Sequence, residues 1–239
     1  MPGIAPTIKA QRTFLPGLAS FQRTAKTAWN AALDLVFPPY CTNCGKADTS
    51  WCSRCQRELE TYPLQLLQRT IDPNLVVSST GVHSGILRTA VHAFKYEGVV
   101  HLATPLAERM LAVLDTRSKV DALIPVPIHS ERRRQRGYNQ AELLAQAIMH
   151  QRGIPVLSDV LVRHKETMSQ VNLTMSEREQ NVSGAFTVNQ TLKGKHALLI
   201  DDVVTTGATL SACAQALIAA GAAQVHALTT ATASDLGAR

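Results

Sequence analysis

Along residues 18–37, apolar side chains recur at helical spacing (Leu18, Phe21, Ala25, Trp29, Leu33, Val36), and Pro38 with Pro39 ends the run. Residues 1–17 hold three prolines and little periodicity, and are expected to be poorly ordered. A cysteine-rich stretch follows at 40–57. A polar helix is expected to continue from it to about Arg69, and Pro73-Asn74 marks a boundary. Beyond that point the pattern alternates. Residues 75–82 read as a strand, 86–96 and 102–114 as helices, and 120–126 as a short apolar strand. Residues 138–150 read as a helix, with Asn139 and Glu142 placed as a capping box. A polar, irregular stretch at 163–184 is broken by a short helix near Ser176. Strands at 185–188, 197–200 and 224–230 follow, with a helix at 208–220 between the last two. Such alternation predicts an α/β fold, a mostly parallel twisted sheet flanked by helices. The expected divisions are the N-terminus at 1–17, a helix with the cysteine module at 18–72, and the α/β domain at 73–239.

The 239 residues, 45% of them hydrophobic, suffice for one sizeable core and a small appendage. No apolar run reaches about 18 residues, so no membrane insertion is expected. The first residues lack the apolar segment of a secretory signal, which predicts a cytoplasmic chain with reduced thiols. In that compartment Cys41-x2-Cys44 and Cys52-x2-Cys55 read as a metal site rather than as disulfides. Thiolates at this spacing can converge on one tetrahedral Zn²⁺, although the seven residues between the knuckles are fewer than a zinc ribbon uses. Iron in the same ligand set and a redox dithiol are the alternatives. With all four positions used as ligands the role would be structural or that of a partner-binding platform, and a module this small would need its metal to fold. Cys213 falls on the apolar side of the last long helix and reads as core, and none of the eight histidines is assigned a catalytic role. The net charge of +6 favours phosphorylated or polyanionic partners; a solvated basic surface would give the same balance.

Residues 196–210 carry the most chemistry. An apolar strand, Ala-Leu-Leu-Ile, ends in Asp201 and Asp202, and the chain then turns through Thr205, Thr206, Gly207, Ala208 and Thr209 into a helix. In open α/β sheets ligands bind at the carboxyl ends of the strands. The first turn of a helix offers free N–H groups and partial positive charge, glycine lets the backbone close round an anion, and threonine hydroxyls add donors. The carboxylates cannot favour the phosphate itself, but they can accept from the hydroxyls of a sugar attached to it. No lysine stands in the loop, so it is not a Walker A sequence. Threonine caps on an ordinary turn would explain a lone Thr-Thr-Gly, but not the whole succession.

This stretch resembles the signature of type I phosphoribosyltransferases, with a match over residues 197–210. The resemblance implies that Asp201 and Asp202 hold the ribose hydroxyls of 5-phosphoribosyl-1-pyrophosphate (PRPP), and that Thr205 to Thr209 hold its 5′-phosphate. A second segment, Pro-Val-Pro followed by Arg132, Arg133, Arg134, Gln135, Arg136, Gly137, Tyr138 and Asn139, leaves another short strand. Guanidinium groups pair bidentately with phosphate oxygens. These segments, with Leu-Asp-Leu-Val-Phe-Pro-Pro-Tyr-Cys at 33–41, Phe94-Lys95-Tyr96-Glu97-Gly98 and the Thr-Met-Ser-Gln stretch at 167–170, are together similar to the ComF family (also GntX-like). That resemblance covers roughly residues 33–230. It implies a phosphoribosyltransferase-like domain with an N-terminal zinc module, Lys95 near the cleft, the arginine loop near the pyrophosphate, and residues 164–175 as a mobile flap. His83 departs from the aromatic that many relatives carry there.

Two functions follow from the resemblance. The first is pentosyl transfer from PRPP with Mg²⁺, to an acceptor the sequence does not reveal. The second is a competence factor that grips single-stranded DNA through Arg132, Arg133, Arg134 and Arg136 during DNA uptake, docking a DNA-translocation helicase. With aromatics at 5%, DNA binding would be electrostatic and salt-sensitive rather than built on stacking.

Overall fold

A computed structural model describes residues 38–115, 119–164 and 184–233. The expected helix at 18–37, the N-terminus at 1–17, the helix near Ser176 and the flap beyond His164 lie outside them. The chain separates by its contacts into two units, Met1–Cys41 with Gly45–Ser50, and Thr42–Cys44 with Trp51–Arg239. In the first, Tyr40 and Ala47 form an antiparallel bridge. The Cys41 N–H donates to Lys46 O, and the Gly45 N–H to Cys41 O, both at 2.8 Å.

The second unit holds the sheet. In chain order its elements are α1 (Ser53–Thr61), β1 (Leu67–Asp72), β2 (Leu75–Ser79), α2 (Gly85–Tyr96), α3 (Ala103–Val113) and β3 (Ala122–Pro125). There follow α4 (Ser130–Arg136), α5 (Gln140–Arg152), β4 (Leu161–Arg163), β5 (Phe186–Val188), β6 (His196–Val204), α6 (Ala208–Ala219) and β7 (Gln224–Thr232). The strand order is β1-β2-β7-β6-β3, and β4 pairs with β5 apart from it. All pairings of the main sheet are parallel except that of edge strand β1 with β2.

The polar helix expected to reach Arg69 stops at Thr61. Tyr62 is extended (φ −60°, ψ 133°) because the Pro63 ring crowds the helical conformation of the residue before it. Residues Leu67–Asp72 form β1 instead, and Pro73-Asn74 is the turn to β2, where the Asn74 N–H donates to Asp72 Oδ1 at 3.0 Å. Two further elements depart from the expectation. The arginine segment is a helix, α4, rather than a loop, and Leu161–Arg163 is a strand absent from the expectation that ends where the irregular stretch at 163–184 was to begin.

Side-chain parity along β6 organises the core. Ala197 and Leu199 join Leu75, Val77, Val225 and Ala227 in a cluster that also takes Leu210, Cys213, Ala214 and Leu217 of α6. Leu198 and Ile200, equally buried, point to the opposite face. Because side chains alternate, Asp201 continues the α6 face and Asp202 the other, where α2, α3 and α5 supply Phe94, Leu106, Met110, Leu144 and Ile148. One strand thereby delivers two adjacent carboxylates into different surroundings.

Candidate functional site

Asp201 and Asp202 stand at the carboxyl end of β6 and line a cavity of about 540 Å³ with Lys95, Arg132, Arg136, Arg163, Thr205 and Thr209. Asp202 meets Lys95 across the α2 face, with Nζ 2.8 Å from Oδ1. Three backbone features hold Lys95 there. α2 ends just past it, Tyr138 Oη donates to the carbonyl of Phe94, and Gln140 Nε2 donates to that of Lys95 at 3.3 Å. Burial opposes the Lys95 ammonium most, but Asp202 first, then Asp201 and Tyr96, together hold the pKa above its ordinary value. Lys95 therefore stays cationic.

Asp201 faces Arg163 and Cys213 instead. Burial first, then the Asp202 carboxylate, push its carboxyl up to about 7, with Lys95 and Arg163 pulling the other way. An unfolded aspartate titrates near pH ~4, so between about pH 4 and 7 the native state binds the extra proton and stability falls as pH rises. Asp201→Asn should flatten that slope and raise the unfolding free energy near pH 8 by ~1–3 kcal/mol, as read from urea unfolding at several pH values.

Beyond β6 the chain closes a pocket of about 50 Å³ lined by Asp201 and residues 203–210, room for one small anion. Gly207 makes the turn possible with φ +88° and precedes α6, whose first turn carries no acidic residue. The Thr206 Oγ1 accepts from the Ala208 N–H at 3.4 Å.

The helical form of α4 sorts the four arginines. Arg132 and Arg136, one turn apart, line the cavity. Arg136 donates to Gln140 Oε1 at 3.1 Å, and its guanidinium lies 4.8 Å from the Tyr96 ring centroid. Arg133 pairs with Glu142 at 3.2 Å, and neither it nor Arg134 lines the cavity. The expected capping box is half formed. Asn139 Oδ1 accepts from the Ala141 N–H at 3.1 Å, while Glu142 turns to Arg133 rather than back to the cap.

At the other end of the chain's described part, the four sulfurs of Cys41, Cys44, Cys52 and Cys55 lie within 4.8 Å of one another. Asn43 Nδ2 donates to Cys55 Sγ at 3.3 Å, as a donor to a thiolate would. The donor set fits a tetrahedral Zn²⁺ or an iron ion.

The family described as "Phosphoribosyl transferase domain" matches residues 134–236. Competence protein F of Haemophilus influenzae is 29% identical over 197 residues, 79% of this chain and 82% of that one. DNA utilization protein YhgH of Shigella flexneri is 30% identical over 195 residues, 78% of this chain and 81% of that one. The chain belongs to the ComF family. Competence protein ComFC of Bacillus subtilis is 29% identical over 147 residues, 61% of this chain and 59% of that one. Among solved structures, adenine phosphoribosyl transferase from Trypanosoma brucei, in complex with AMP, pyrophosphate and ribose-5-phosphate, gives a TM-score of 0.39 at 14% identity. It covers 68% of this chain and 73% of that one.

Sequence reasoning missed several groups of this ComF cavity. Arg163, expected only as the start of a polar stretch, lines the cavity with its guanidinium 5.5 Å from the Phe186 centroid. His83, Arg88 and His92 line it as well. Burial, then Lys95, lower the His83 pKa, so that ring is neutral near pH 7. No helix of the described residues is long and apolar enough to cross a membrane.

Proposed function

We propose that this ComF protein binds PRPP in the cavity at the carboxyl end of β6 and transfers its phosphoribosyl group within DNA uptake or use. One observation carries the reading: an acidic pair, a small anion cradle and the cations Lys95, Arg132, Arg136 and Arg163 converge on one site. In this reading the 5′-phosphate sits against residues 205–209, where backbone N–H groups and the α6 dipole favour it. Asp201 and Asp202 accept from the ribose hydroxyls. The pyrophosphate lies toward Arg132 and Arg136, and Lys95 can turn to it from Asp202.

The bond from C1 to the pyrophosphate oxygen breaks and the electron pair leaves with pyrophosphate. A nucleophile then gives its lone pair to C1 from the opposite face and loses its proton to the departed pyrophosphate. The protein's share is positioning and charge stabilisation. The carboxylates counter the positive charge on the ribose, and the guanidinium groups counter the negative charge on the departing pyrophosphate. Asp201, an acid raised by burial and by a neighbouring carboxylate, is a hard oxygen donor whose charge a dication would compensate, so the acidic pair suits Mg²⁺. When bound, Mg²⁺ would neutralise pyrophosphate charge.

The names Competence protein F and DNA utilization protein given to the relatives support placing the activity in DNA handling. A second reading, a grip on single-stranded DNA, draws on Arg133 and Arg134, which face away from the cavity on α4, and on the net charge of +6.

Calorimetric titration of the metal-loaded protein with PRPP, and with ribose 5-phosphate, in Mg²⁺ buffer tests the first reading. Saturable binding, tighter for PRPP, is expected. Asp202→Asn should weaken PRPP about 10- to 100-fold, since a charge-assisted hydrogen bond contributes ~1.5–3 kcal/mol, and should leave DNA binding intact. No binding by folded wild-type protein, or no effect of Asp202→Asn on sugar-phosphate affinity, would sink it.

A further inference from the structure

Outside the cavity, edge strand β1 touches the back of the phosphate loop at three points. Arg69 donates from Nη2 to the carbonyl of Thr206 and from Nη1 to that of Thr205 at 3.4 Å. Ile71 lies over Gly207 so closely that a Cβ there would stand 2.5 Å from Ile71 Cδ1. Asp72 Oδ2 accepts from Ser211 Oγ, in the first turn of α6, at 2.7 Å. The strand itself is fastened by its antiparallel register with β2, Arg69 opposite Val77.

We infer that Arg69 is the positioning residue of the phosphate cradle: by holding two carbonyls outward it aims the N–H groups of Thr206 and Gly207 inward at the anion. This rests on the reading of residues 205–209 as the phosphate site. The reasoning is covalent geometry. A trans peptide is planar, so the carbonyl of residue i and the N–H of residue i+1 point in opposite directions. Fixing the carbonyls of Thr205 and Thr206 on the Arg69 side therefore fixes the N–H groups of Thr206 and Gly207 on the other. Free peptide units at a glycine turn would rotate, and an anion would have to order them on binding. The guanidinium also polarises each peptide it holds, in a chain from cation through carbonyl and N–H to phosphate oxygen. Arginine suits the task because its planar fork spans two carbonyls at once, which a lysine ammonium cannot do with fixed geometry. Arg69 does not line the cavity, so its action on the ligand passes through the loop.

The test compares two probes on the full chain. Ribose 5-phosphate reports the cradle, and inorganic pyrophosphate reports the arginine side of the cavity. Arg69→Met, which keeps the stem and removes the donors, should lose about 10-fold or more in ribose 5-phosphate affinity, the scale of one charge-assisted hydrogen bond, and keep its pyrophosphate affinity within about twofold. Arg69→Lys should recover part of the loss. Amide signals of Thr206 and Gly207 should shift on ribose 5-phosphate addition in the wild type, and much less in Arg69→Met. Equal ribose 5-phosphate affinities in wild type and a folded Arg69→Met would overturn the assignment. So would parallel losses of both ligands, which a merely structural role produces. If Arg69→Met does not fold, Arg69→Lys decides: an unselective loss, or none, counts against the inference. A wild type that binds no ribose 5-phosphate would instead remove the phosphate-site reading on which it stands.

Discussion

A metal chelator acting on the four-cysteine cluster should unfold the knuckles and α1 and open Arg54 and Arg57 to trypsin. The sulfurs lie within 4.8 Å of one another, and Cys41, Cys52 and Cys55 are buried. Four thiolates that close repel strongly without a cation, and four thiols make poor hydrogen bonds. Around them Trp51 and Leu59 are the large buried apolar side chains, too few to hold the segment alone. Structural zinc in comparable peptides contributes ~10–16 kcal/mol of apparent folding free energy, the largest single term expected here. Elemental analysis should find about one metal ion per chain in folded protein. Chelation should speed tryptic cleavage and lower the melting temperature, and added Zn²⁺ should restore both. Folded protein without metal, or indifferent to the chelator, would contradict the assignment and favour a redox dithiol.

Arg109→Ala should cost about 3 kcal/mol or more of stability, from three lost carbonyl hydrogen bonds and the packing of a buried stem. The Arg109 guanidinium, buried within α3, donates to the carbonyls of Leu59 (3.1 Å), Tyr62 (2.8 Å) and Pro63 (3.0 Å) and lies 5.8 Å from the Tyr62 centroid. These carbonyls lie at and just beyond the end of α1, where Leu59 O accepts in addition from the Tyr62 N–H at 3.3 Å. One side chain thus ties the helix bearing Cys55 to the layer that bears Lys95. Burial holds the Arg109 pKa below its ordinary value, with Tyr62 partly compensating. Arg109→Lys should recover only part of the loss, since one ammonium cannot serve three carbonyls in that fork. Urea unfolding of the three proteins checks this. A loss under about 1 kcal/mol for the alanine variant would mean that water replaces the guanidinium at the helix end.

What could be read from sequence follows how local each interaction is. The strand–turn–helix at 196–219 was legible because its strand, acids, turn and helix are contiguous, and the glycine must sit where φ turns positive. The divergence of Asp201 and Asp202 was latent in the alternation of β6, but needed knowledge of which layer α2 and α6 occupy. β1 was obscured because an edge strand buries little: its pattern Leu-Gln-Arg-Thr-Ile-Asp has no fully buried position. Arg69 was invisible because its partners lie 136 and 137 residues away. Arg163 hid among polar neighbours because its strand has only three residues. The cysteine cluster was legible because metal ligands come in short, fixed spacings.

The sorting of arginines on α4 makes that segment a matter of phase rather than of charge. Each residue advances a helix by about 100°, so Arg132 and Arg136 share a face while Arg133 and Arg134 leave it. A scrambled segment of identical composition would carry the same charge and present the wrong pair. A single residue inserted between Arg132 and Arg136 would carry Arg136 about 140° round the helix from Arg132 without removing an arginine. Sequences that drift at this helix can therefore exchange lysine for arginine on the outer face freely, while a one-residue insertion between Arg132 and Arg136 is barred.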